Sequence, residues 1–133
     1  MTPHYARRPS YKELNKKINA ARQALENNGF LPADYQKLAA NFRDLNLFTS
    51  EEQHQALRAA LHEATPDDYD GGRPPVKSYE PATLGRDLFA FAWESEYFEQ
   101  CMYLKYCLVA GPDEENTLYV FSLHECWRKG RKK

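Results

Sequence analysis

Apolar positions along the chain change their period once. From residue 10 to residue 64 they recur at three- and four-residue steps, the spacing of a helix face, and from residue 87 to residue 125 they alternate, the spacing of a strand. Ser10 followed by Glu13 has capping-box spacing, Leu14, Ile18, Ala21 and Leu25 fall on one stripe, and Asn28-Gly29 offers a left-handed stop. The first helix is expected there. Pro32 suits the first position of a second helix, in which Tyr35, Leu38, Ala39, Phe42 and Leu45 repeat until Asn46. Thr49 with Glu52, or Ser50 with Gln53, caps a third, lined by Leu57, Leu61 and Ala64 and ended by Thr65-Pro66.

Residues 66–86 (PDDYDGGRPPVKSYEPATLGR) are too rich in proline and glycine for a regular helix or central strand. A loop this long within a compact domain is commonly functional, and its tyrosines and Lys77 suit it to border a site. Beyond it, residues 87–93 (DLFAFAW), 102–109 (MYLKYCLV) and 117–125 (TLYVFSLHE) are strand-length runs rich in aromatic and β-branched residues, and the loop 110–116 makes the last two a hairpin. Met102, Leu104, Tyr106 and Leu108 share one face of the middle run, and Tyr119, Phe121 and Leu123 one face of the last. A slip of one residue would put an apolar set into water. The expected register therefore sets Tyr103 across from His124 and Lys105 across from Ser122, gathering four polar side chains on the solvent side.

The fold class expected is α+β, N-terminal helices packed on a small C-terminal antiparallel sheet. Its parts are a helical part (10–64), the long loop (66–86), the sheet (87–125) and a basic tail (126–133). A length of 133 residues is that of one domain able to bury a core unaided, and 14% aromatic residues exclude a wholly disordered chain. The longest apolar stretches are strand-sized and the first residues lack the apolar segment of a secretory signal, so a cytoplasmic protein without membrane contact is expected. Cys101, Cys107 and Cys126 form no CxxC pair, and an odd number cannot close a disulfide framework, so all three read as reduced thiols. A net charge of −1 argues against a protein that grips long runs of phosphate. The charge is uneven, however: Arg7, Arg8, Lys12, Lys16 and Lys17 make the start basic, and Arg128, Lys129, Arg131, Lys132 and Lys133 the end. These are solvated tails in the simplest account and the basic rim of a nucleic-acid site in the sharper one.

Tyr, Lys and His on one surface suit metal-independent cleavage of RNA, in which a 2′-hydroxyl attacks its own phosphate. That reaction needs a proton acceptor, a cation for the developing phosphorane charge and a donor for the leaving oxygen. His124 is the proton carrier of choice, since histidine titrates near neutrality; Lys105 and Arg86 supply charge; Tyr103 positions phosphate or stacks a base. Those four are the candidate catalytic residues, with Lys77, Ser122, Trp127 and Arg128 as candidate substrate contacts. A mixed polar face is also what any half-exposed antiparallel sheet presents, so the constellation alone does not decide.

Read in order, Leu45-Asn46-Leu47, Leu61 through Asp68-Tyr69, Lys77-Ser78, Arg86-Asp87-Leu88-Phe89, Tyr103-Leu104-Lys105 and Ser122-Leu123-His124-Glu125 resemble the pattern of the motility quorum-sensing regulator (MqsR) toxins. The resemblance spans the chain from about the first helix to Glu125. It implies a RelE-like ribonuclease of a bacterial toxin–antitoxin pair, cleaving mRNA and neutralised by a cognate antitoxin protein. By the resemblance, Tyr103 matches the tyrosine of the family's YLK strand, His124 stands where a lysine is usual, and Arg86 where glutamine is usual. The family's lysine after Asp-Phe-Tyr falls on Asp70, or on Lys77 if Gly-Gly-Arg-Pro-Pro is an insertion.

The rival expectation is a non-catalytic protein-binding module, such as a phage or host-defence adaptor. No cofactor and no metal are expected. His54 and His62 are eight apart on a helix with no third ligand placed, and Asp67, Asp68 and Asp70 lack the glycine and terminal glutamate of an EF-hand loop. Glu94, Glu96 and Glu99 are most simply the polar exit of the first strand.

Overall fold

The protein is described by a computed structural model that covers residues 9–72, 74–112 and 115–126. Three helices precede most of a four-stranded sheet: α1 (Tyr11–Asn28), β1 (Phe30–Pro32), α2 (Tyr35–Asp44), α3 (Ser50–Glu63), β2 (Phe89–Ser95), β3 (Gln100–Ala110) and β4 (Asn116–Glu125). The architecture is α+β. Each helix begins where a side chain takes up an orphan amide: Ser10 accepts from Glu13 N, Asp34 from Lys37 N, and Thr49 and Glu52 cap each other reciprocally. At the end of α1, Gly29 stands at φ 75°, a conformation that the absence of a Cβ permits, and its amide bonds to Leu25 O.

The sheet order is β1-β4-β3-β2. β2, β3 and β4 form an antiparallel meander, whereas β1 lies parallel to β4, so the sheet is mixed rather than wholly antiparallel. The strand β1 also corrects the expectation for Pro32, which closes this strand instead of opening a helix; Asp34 supplies the stronger cap two residues later. One face of the sheet carries Phe89, Phe91, Trp93, Met102, Leu104, Tyr106, Leu118, Val120 and Leu123 into the core, against Leu14, Ile18 and Leu25 of α1, Leu38 and Phe42 of α2, and Leu57 and Leu61 of α3. The helices thus pack on this face, α2 reaching round the β4 edge beyond β1, and the other face is left to the loop and to solvent.

The hairpin pairs as expected at its open end: Tyr103 with His124, Leu104 with Leu123 and Lys105 with Ser122. Farther on, a bulge between Lys105 and Tyr106 moves the partner of Tyr106 to Val120 and that of Cys107 to Tyr119. The extra residue reverses the alternation. Leu118 and Val120 enter the core in place of Tyr119 and Phe121, and Phe121 instead lies beneath the Lys105 ammonium, 6.0 Å from it.

The described part of residues 66–86 (66–72 and 74–86) is a strap that contains the 3-10 turns Pro66–Asp68 and Pro81–Thr83. Backbone bonds tie the strap to β2 and its approach, from Asp70 N to Ala90 O (2.8 Å) and from Leu88 N to Val76 O (2.8 Å), and it closes on itself from Ser78 N to Arg86 O (2.9 Å). Tyr69 is buried edge-on against Phe91, and its hydroxyl bonds to Gly72 O. Among the described residues no helix is long and apolar enough to cross a membrane.

Candidate functional site

On the sheet face turned away from the helices, Tyr103, Lys105, Ser122 and His124 line a cleft of about 400 Å³, joined by Lys37 from α2, Asp70 from the strap and Cys126 beyond the end of β4. Each element delivers its residue for a physical reason. The register of β3 against β4 is pinned by the apolar faces on the far side, and the Tyr103 and His124 rings consequently stack, 5.1 Å between centroids and 21° between planes. α2 is held against β4 by the buried Asn41, whose Oδ1 accepts the Leu123 amide at 2.9 Å and continues the ladder beyond the end of β1. That anchoring brings Lys37, one turn earlier on the same helix, to the cleft. Asp70 is placed by its own amide, bonded to Ala90 O on β2.

The electrostatics follow from this packing. Burial lowers the pKa of Lys105 below the ordinary lysine value, and the like charge of Lys37 lowers it further. His124 Nδ1 lies 2.8 Å from Glu125 O. A carbonyl can only accept, so Nδ1 carries the proton and the lone pair of the neutral ring is at Nε2. Ser122 is almost wholly buried and forms floor rather than rim. Among the described residues that line it, two ammonium groups and one carboxylate leave the cleft net cationic while the imidazole is neutral, a setting that favours an anion. No protein-family model, no curated protein and no solved structure matches the chain.

Four of the expected site residues, Tyr103, Lys105, Ser122 and His124, therefore meet in one cleft. Arg86 and Lys77 stand elsewhere: they line a depression of about 270 Å³ with Lys17, Gly85, Asp87, Phe89 and Leu108, and Lys77 Nζ is paired with Asp87 there. Of the two positions open for the family's lysine, it is Asp70 that reaches the cleft. Trp127 and Arg128 lie outside the described residues. Lys37 was not anticipated, and no local pattern marks it; its place depends on how α2 docks on β4.

Three other groups have a structural account. Cys107 is buried, and burial pushes its thiol up to about 11 against smaller opposing effects of a Thr83 hydrogen bond and the Arg86 charge. His54 Nε2 contacts Leu25 O at 3.3 Å, tying α3 to α1. The Glu63 carboxylate accepts from Trp93 Nε1 (2.8 Å), Ser95 Oγ (2.6 Å), Glu96 N (3.0 Å) and Tyr97 N (2.9 Å), clamping α3 to the β2–β3 turn. Among the described residues no three His, Cys, Asp or Glu side chains are grouped to hold a metal ion.

Proposed function

We propose that the protein is a metal-independent endoribonuclease that cleaves mRNA in this cleft, a RelE-like toxin of the MqsR kind held in check by a cognate antitoxin in the bacterial cytoplasm. The observation that carries the reading is the convergence of a Tyr103–His124 stack with two lysines on one open face of the sheet. In the reaction, His124 Nε2 takes the proton of the attacking 2′-hydroxyl, and the new O–P bond gives a phosphorane whose negative charge faces Lys105 and Lys37. The P–O5′ bond then breaks, leaving a 2′,3′-cyclic phosphate and a 5′-hydroxyl, with the leaving oxygen protonated by His124 or by water. Tyr103, already stacked on the imidazole, offers a flat surface against which an unpaired base can lie.

The experiment is a gel of total RNA incubated with pure protein in EDTA. Discrete fragments ending in cyclic phosphate are expected; intact RNA at high enzyme concentration would remove the reading. A second reading, a non-catalytic protein-binding module, is favoured by the exposed apolar side chains of Val76, Tyr79 and Leu84 on the strap. It predicts intact RNA and growth that is unaffected when the protein is expressed alone.

A further inference from the structure

Cys101 and Cys126 are far apart in sequence, and the strand register brings them together. Met102 faces Glu125 and Tyr103 faces His124, so the next pair outward is Cys101 with Cys126, and Cys126 N donates to Cys101 O at 2.9 Å. A hydrogen-bonded antiparallel pair holds its Cα atoms about 5.5 Å apart, within the span of about 4.4–6.8 Å that a disulfide bridges. The two side chains also share a face. Cys101 is two residues before Tyr103 and Cys126 two after His124, and the rings of that pair lie stacked on the cleft side. Both cysteines are partly exposed, and Cys126 lines the cleft itself.

We propose that Cys101 and Cys126 form a thiol–disulfide site, oxidised by hydrogen peroxide to an intramolecular disulfide that joins β3 to β4 at the mouth of the cleft. One thiolate attacks a peroxide oxygen, breaking the O–O bond, to give a sulfenic acid and water once protons are counted. The second thiol attacks that sulfur, and the S–O bond breaks with loss of a second water. Two thiols are oxidised by two electrons and one peroxide is reduced to two waters. Facing Cβ atoms in a hydrogen-bonded pair lie towards the upper end of about 4.5–5.5 Å, beyond the 3.5–4.5 Å of a relaxed disulfide, so the bond must draw the strands together and is readily reduced. The third thiol, Cys107, is buried and held protonated, and takes no part. The site stands whether or not the cleft cleaves RNA.

The full chain, treated with hydrogen peroxide, quenched, and alkylated with iodoacetamide in denaturant, tests the site by mass spectrometry. One alkylated cysteine, Cys107, is expected, with a peptide carrying Cys101 bonded to one carrying Cys126, two hydrogens lighter than the reduced pair and separated by dithiothreitol. Cys101→Ser and Cys126→Ser should each abolish the link and Cys107→Ser should not; Cys126→Ala serves where a serine variant fails to melt cooperatively. Three alkylated thiols after treatment, oxygen added at Cys101 with Cys126 still alkylated, a bond between two chains, or a bond to Cys107 would each overturn the proposal.

Discussion

The Nδ1–H of His124 points to the Glu125 carbonyl, and that single bond decides which ring nitrogen can take a proton from a nucleophile. Removing the imidazole with His124→Ala should therefore lower the cleavage rate by about 2–4 orders of magnitude, the usual worth of an acid–base group, with little change in melting temperature because the ring stacks on the surface rather than in the core. Initial rates on a fluorogenic RNA, with thermal melts of both proteins, check this; an unchanged rate would take His124 out of the mechanism. Lys105 differs in one respect. Its ammonium sits over the Phe121 ring and its stem is half-buried, so Lys105→Ala loses packing as well as charge. Lys105→Met keeps the stem. It should cost about 1 kcal/mol of stability or less while still losing a factor of about 100 or more in rate, because a preorganised cation acts where charge develops. Equal activity of Lys105→Met and wild type would assign Lys105 to packing alone.

At the scale of elements, Glu63 and Asn41 each clamp a helix to the sheet, and each makes a prediction. Burial pushes the Glu63 carboxyl up, but the hydrogen bonds from Ser95, Trp93, Tyr97 and Glu96 outweigh it and hold its pKa below the usual carboxylate value. A depressed folded pKa means that the clamp contributes its full stability above the unfolded value of about 4.3 and loses it as pH falls through the lower folded value. Glu63→Gln should thus cost about 1–2 kcal/mol at pH 7, a modest figure for a carboxylate that water still reaches, and the gap in urea midpoints should close towards pH 3. A gap that persisted at pH 3 would show the clamp to be steric. Asn41→Leu should cost about 1–3 kcal/mol at every pH, since it leaves the Leu123 amide buried without an acceptor. The elements most legible in the sequence were those set by local chemistry. Ser10, Thr49 and Glu52 announced the starts of α1 and α3, and the alternation around Tyr103 and Leu123 gave the register of the site. What escaped was non-local: β1 is three residues long and exists only because β4 lies beside it, and the bulge after Lys105 is one extra residue that turns Phe121 out and Val120 in without altering the look of the run.

On the scale of the whole molecule, the charge distribution says how RNA would be held. Lysine and arginine number 18 against 19 acidic residues, so no general attraction to phosphate exists and affinity must come from a local patch. The half of the site legible in the sequence was the half on one hairpin; Lys37 and Asp70 arrive from α2 and the strap, while Arg86 and Lys77 are drawn to the depression beside Lys17. With Lys37 and Lys105 as the cleft's cations among the described residues, about two phosphates are neutralised, and single strands lose binding with a slope of about −0.7 per phosphate in log K against log salt. A slope of about −1.4 is expected for 2′-O-methyl RNA, which lacks the attacking hydroxyl and stays intact during an anisotropy titration over a series of KCl concentrations. Lys37→Met should bring the slope to about −0.7. Were the basic residues at 128–133 and 7–17 the holding surface instead, the slope would exceed about −4 in magnitude and Lys37→Met would leave it unchanged. That result would move substrate binding from the cleft to the termini, and with it the basis for assigning chemistry to Tyr103 and His124.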